Sequence, residues 1–323
     1  MKAFAFLSLV LLLSCTGPEK QAEILLPGST GGSLEVLVAM EDALWEGAVG
    51  AKVREQFNAP MPGMPQEEAW YKLIRVEPKA LNELLKRAHL IFMAEIDSSR
   101  QSNQGENLWS KPQMITSYKA PSEAGLLQQI EDDLAEHLKG IRAFERRHIL
   151  KRIARQRQNA SNSKLLRSLQ AQITLPINFE LDTDLEDLSI FWSRNQKSDQ
   201  CLMIHRRPLD DDLFLLGKDI LPVRDSLCKA YVPGQFDGTY MTTEYRLPPS
   251  IEAYELDGRF AMETRGLWRV EGDFMGGPFL SYTLFDSENG QIVTLEGFVY
   301  APDMDKRRLL FELEAIMNSL RMP

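Results

Sequence analysis

Residues 253–300 read AYELDGRFAMETRGLWRVEGDFMGGPFLSYTLFDSENGQIVTLEGFVY, and this stretch decides the fold class. Aromatic and β-branched runs are interrupted by Asp257-Gly258 and Asn289-Gly290, dipeptides that accept the positive φ of a tight hairpin. The pattern predicts an antiparallel meander with strands over 253–256, 259–270, 279–285 and 291–300, after one at 240–246. A helix over 303–320 closes it, with Leu309, Leu313, Ile316 and Leu320 on one face. Working upstream, strands are expected at 173–179, 188–194 and 200–206, and helices at 164–172 and 218–231.

The first part of the chain has another rhythm. A strand over 34–40, a helix over 41–57, an extended Pro60-to-Pro65 loop, a strand over 70–76, a short helix over 78–87 and strands over 90–96 and 113–118 follow one another. That order predicts a small α/β sandwich over 34–119. Ser122 caps a long helix reaching about residue 158, with Leu127, Ile130, Leu134, His137, Ile141, Phe144 and His148 as its apolar seam. Residues 120–163 thus connect the sandwich to a second domain at 164–323, and the fold class is α+β.

The start of the chain carries an address. Met1 and Lys2 precede an apolar run over 3–13, and Leu12-Leu13-Ser14-Cys15 has the form of a lipobox. The run is shorter than the ~20 residues that span a bilayer. Residues 1–14 are expected to be a signal peptide, Cys15 to take diacylglycerol and palmitate, and 15–33 to be a flexible Gly/Ser tether. Thr16 and Gly17 follow the cysteine, so no Asp retains the protein at the inner membrane. The outer membrane facing the periplasm is expected, with surface exposure as the alternative.

With 46 acidic against 37 basic residues the net charge is −9, which together with export excludes a general nucleic-acid binder. Besides Cys15 the chain has Cys201 and Cys228, either a disulfide or two buried thiols.

Short constellations resolve to bland readings. Glu145 and His148 have di-iron spacing, but one such motif cannot build a four-helix site. Cys201 and His205 on one strand stand about 13 Å apart, too far for a nucleophilic dyad. The acids of 181–187 and Asp210-Asp211-Asp212 lack the features of a calcium loop. Met61 and Met64 are too few for copper. No cofactor or metal is expected.

Several segments resemble an uncharacterised family of Bacteroidetes lipoproteins known only as a domain of unknown function. They are 34–38, Leu44-Trp45-Glu46-Gly47 with Val49-Gly50, the Pro60-to-Pro65 loop, 272–279, and 296–302. The resemblance implies an envelope lipoprotein and supplies no activity or site residues. The meander closed by a helix is also similar, at fold level, to PsbP-like proteins.

One surface stands out. The long helix carries Glu131, Asp132, Asp133 and Glu136 in its first half. Its second half carries Lys139, Arg142, Arg146, Arg147, Lys151, Arg152, Arg155 and Arg157 against Glu145 alone. The helix dipole explains the order of signs but not so many arginines. The stripe points to anions: lipid headgroups or an acidic envelope protein. A membrane-anchored, non-catalytic binding or scaffolding protein is therefore expected. The alternative is a cell-wall or glycan enzyme using carboxylates such as Glu271, Asp273 and Glu296.

Overall fold

A computed structural model describes residues 25–155, 157–158, 162–209 and 219–323. The segment expected to be a signal peptide, Cys15 and Asp210-Asp211-Asp212 lie outside the described residues, as does the side chain of Arg157.

The N-terminal sheet is built from β1 (Glu35–Ala39), β2 (Lys72–Val76), β3 (Leu90–Ile96), β4 (Gln101–Glu106) and β5 (Met114–Ala120). Its order is β2-β1-β3-β5-β4, parallel except where β4 runs against β5. Between β1 and β2 lie α1 (Asp42–Glu46) and α2 (Ala48–Phe57), split at Gly47 where one helix was expected. Two 3₁₀ turns, Pro78–Ala80 and Leu85–Arg87, stand where the short helix was expected. Strand β4 falls where no strand was expected, because QSNQGE has no apolar face. It is an edge strand, pinned where Gln104 donates to Thr116 Oγ1 at 3.0 Å and to the His137 carbonyl at 2.9 Å.

The long helix α3 spans Glu123–Ala154, and Ser122 caps it by accepting from the Gly125 amide at 3.2 Å. Its buried face contains Ile130, Leu134, Ile141 and Phe144 of the expected seam, but Leu126, Leu138, Glu145, Ile149 and Ile153 stand in place of Leu127, His137 and His148, which are only half-buried. The seam turns because α3 packs on two bodies at once. It touches β3 and β5 on one side and α6 (Arg307–Met317) of the C-terminal half on the other.

After α3 come β6 (Arg157–Gln158), α4 (Lys164–Ser168) and β7 (Leu175–Pro176), the last much shorter than the strand expected at 173–179. The C-terminal sheet then contains β8 (Glu180–Asp184), β9 (Leu188–Arg194), β10 (Asp199–Pro208), β11 (Tyr240–Thr243), β12 (Ser250–Leu256), β13 (Arg259–Glu271), β14 (Gly276–Asp286) and β15 (Gln291–Tyr300). Its path is β11-β13-β14-β15-β10-β9-β8, with β12 also paired to β13, and the pairings are antiparallel. Both expected hairpin turns form, with Asp257 at φ 54°, Gly258 at 73° and Gly290 at 62°. Helix α5 (Ile220–Tyr231) lies before β11, and α6 (Arg307–Met317) closes the chain.

Strand alternation splits this sheet into two faces. Leu202, Ile204, Leu280, Tyr282, Leu284, Val293, Leu295 and Val299 join the α3 and α6 core, which continues into Val36, Val38 and Phe92 of the first sheet. Ile190, Cys201, Met203, Trp268, Phe279 and Phe298 form a second cluster with Cys228 of α5. The molecule is therefore α+β, with α3 on the first sheet and α6 on the second packed against each other between them.

Candidate functional site

The basic stripe does not act as one surface. Lys139 pairs with Glu136 at 2.9 Å, and Arg142 stacks on the Trp70 ring at 5.4 Å. Arg146 turns inward to Glu314 of α6 at 2.8 Å. These three are engaged within the fold. Arg147, Lys151 and Arg155 stand at i, i+4 and i+8, one ridge of α3, with Arg152 beside them. Together with His148 they line a cleft of ≈ 460 Å³.

The opposite wall is the loop after β4, which supplies Asn107, Lys111 and Pro112, with Phe144 of α3 also in the lining. That loop is held from below by Gln113, a fully buried side chain. Its Oε1 accepts from the amides of Trp109 (2.9 Å) and Ser110 (3.3 Å), and its Nε2 donates to the Ala88 carbonyl at 2.9 Å. Asn107 turns the chain at φ 58°, a conformation its residue type tolerates. Lys111 is thus presented by a braced loop. Nothing in the sequence announces it, since about thirty residues and a strand separate it from the stripe.

Charge in the cleft is only partly compensated. Arg147 pairs with Glu106, and Arg152 reaches Glu312 at 3.4 Å, both on exposed groups. Lys111, Lys151 and Arg155 have no carboxylate within 4.0 Å among the described residues. Three cations therefore face solvent over an aromatic floor.

Beneath that floor lies the arrangement sequence reading missed. Glu145, assigned to the stripe as its lone acid, is fully buried. Its carboxylate accepts from the Ser33 hydroxyl and, at 3.3 Å, from the Leu34 amide. The other oxygen lies 2.5 Å from Nε2 of His89. His89 in turn shares Nδ1 with the Pro112 carbonyl at 3.1 Å and packs against His148 at 4.5 Å between ring centres. Burial holds the His148 pKa below the usual imidazole value. His89, Arg152 and Arg155 push the same way, and Glu145 opposes them.

The other candidates disperse. Glu296 on β15 is 2% exposed and paired to Arg224 of α5 at 2.9 Å, with Arg224 lying over the Phe279 ring. Glu271 pairs with Arg269 at the end of β13, and Asp273 caps the tip beyond it by accepting from the Phe274 amide at 2.6 Å. The three carboxylates do not share an open cleft. Cys201 and Cys228 are free thiols buried in one cluster, not the disulfide entertained from the sequence. Burial raises both thiol pKa values far above the ordinary range. His205 is on the same straight strand as Cys201, with its own pKa lowered to about 4 by burial and then by Arg207.

Asp182 and Asp184 belong to β8, where Asp184 accepts from the Lys164 amide at 2.8 Å and so helps start α4. Met61 is buried core. Among the described residues no three metal-ligating side chains gather, and no helix is long and apolar enough to cross a membrane.

The fold and cleft define an α+β protein with two large sheets and a cationic groove along the helix α3. It belongs to the family described as Domain of unknown function (DUF4837), whose pattern residues 157–319 match. Residues 29–155 match a second, Domain of unknown function (DUF8532), so the junction falls just after α3. No curated protein matches the chain. Among solved structures it is similar to the Saccharomyces cerevisiae Ran-binding protein Mog1p, at 9% identity and TM-score 0.30 over 47% of this chain and 89% of that one. It is also similar to the human StarD13 (DLC2) lipid transfer and protein localization domain, at 10% identity and TM-score 0.23 over 44% and 88%. Neither likeness carries an argument here.

Proposed function

We propose that this is a membrane-anchored envelope lipoprotein, held by lipid on Cys15 at the outer membrane facing the periplasm, whose folded part binds an anionic partner without catalysing a reaction. The observation that supports binding is the cleft of Lys111, Lys151 and Arg155. Three uncompensated cations converge there on a chain of net charge −9. Retaining such a charge concentration costs self-repulsion, which an anion relieves. The lipobox supports the anchor.

Two measurements test the reading. Cys15→Ala should release the protein from the membrane fraction or leave it as uncleaved precursor; full retention after normal cleavage refutes the anchor. Inorganic pyrophosphate should bind the purified protein in a salt-sensitive way, and absence of binding at low ionic strength refutes the anion site.

A further inference from the structure

We infer that the cleft docks on the anionic headgroups of the same bilayer that holds the lipid anchor. This rests on the reading of the chain as a lipoprotein with an anion-binding cleft, and adds which anion fills it and how the body is turned.

The path of the chain carries the inference. Residues 27–33, expected to be free tether, are stitched together with Leu34 onto the roots of the cleft. The Lys111 amide donates to the Pro27 carbonyl at 2.9 Å, and the Ser29 amide to the Lys111 carbonyl at 3.4 Å. Thr30 donates to the Arg87 carbonyl and accepts from the His89 amide, each at 2.8 Å. Ser33 and Leu34 are held by Glu145, one residue from the Phe144 floor. Backbone donors and acceptors that a free tether would give to water are thus paired with the cleft's own framework.

The leash therefore leaves the body beside Lys111, not from a remote end. Only residues 16–24 separate Cys15 from Leu25. Even fully extended, such a segment reaches no more than about 35 Å. Helix α3, at 32 residues, is about 48 Å long. A leash shorter than the body's long axis keeps its exit face toward the bilayer.

Charge fixes the same orientation. The basic end of α3 lies at the exit face, and Glu131, Asp132, Asp133 and Glu136 lie on its other half, so an anionic surface attracts one end and repels the other. Leu25 and Leu108, 95% and 60% exposed, flank the exit and the Asn107 wall, apolar groups suited to the headgroup boundary. Each basic side chain near an anionic surface strengthens binding roughly fivefold, so three give roughly a hundredfold.

The test uses the lipidated full-length protein in vesicles of phosphatidylcholine alone or mixed with phosphatidylglycerol. Amine acylation at Lys111 and Lys151 is followed by mass spectrometry, with exposed Lys197 in the turn after β9 as reference. Phosphatidylglycerol should slow labelling of Lys111 and Lys151 at least tenfold relative to Lys197, and high salt should restore it. In the Lys151→Glu, Arg155→Glu double variant, protection of Lys111 should be lost. Equal labelling in both vesicle types overturns the docking, as does protection that appears only when envelope proteins are added. Free pyrophosphate in phosphatidylcholine vesicles separates the two readings. If it protects these lysines while phosphatidylglycerol does not, the anion site stands and membrane docking falls; if neither protects, both fall.

Discussion

Arg146 of α3 donates to Glu314 of α6 at 2.8 Å, joining the helix packed on the first sheet to the helix packed on the second. Glu314 is buried and takes a second bond at 2.8 Å from Arg265 of β13. Burial alone would raise its pKa, but Arg265 and Arg146 outweigh it and hold the carboxyl below its usual value. An arginine that reads in sequence as surface charge is here a structural clamp.

Removing one partner of such a network leaves the other charge buried, which costs about 3 kcal/mol. Arg146→Ala and Glu314→Gln should each lower stability by that order, and the double variant by less than the sum. Because the folded carboxyl is depressed, its contribution is present above the unfolded pKa and fades as pH falls below it. Urea midpoints at pH 7 and pH 3 check both statements. Pyrophosphate affinity should be unchanged in folded Arg146→Ala, in contrast to Arg155→Ala.

His205 gives a second, separable pH dependence. Its pKa falls from 6.5 to about 4 on folding, mainly by burial. The unfolded chain therefore binds the extra proton between these values, so stability is full above pH 6.5 and declines as pH drops toward 4. His205→Asn should remove this part of the slope. Denaturation curves across that window that stay parallel for variant and wild type would contradict it.

Gly277 shows why a two-glycine start to β14 is needed. A Cβ there would sit 2.2 Å from the Val299 carbonyl oxygen and 3.0 Å from Nε1 of Trp268. Those two atoms already share a hydrogen bond at 3.2 Å. Gly277→Ala should destabilise by about 3 kcal/mol through forced separation of β14 and the Trp268 ring. Thermal denaturation and Trp fluorescence report the two effects.

Cys201 and Cys228 should resist iodoacetamide in the folded protein, since both are fully buried with raised thiol pKa values. In denaturant without reductant both should alkylate. Mass spectrometry showing no alkylation there would establish a disulfide and contradict the two free thiols.

Much was legible from local pattern. The meander over 253–300, its two hairpin turns, the Ser122 cap and the long helix all follow from short-range rules: residue alternation, residues that accept positive φ, a hydroxyl at an N-cap. Strand β4 and the acidic strand β8 were not, because an edge strand needs no apolar face when its neighbour supplies the ladder. The helix ridge at Arg147, Lys151 and Arg155 was visible as charge, yet the sequence could not say which arginines remain available. That depended on partners distant in sequence: Glu314 for Arg146, Trp70 for Arg142, and Lys111 across the cleft. Sequence determined the meander, its turns, the long helix and the sum of charge. Only the tertiary structure decided which charges were consumed and where the N-terminal strap left the body, because ion pairing and strand pairing act through space.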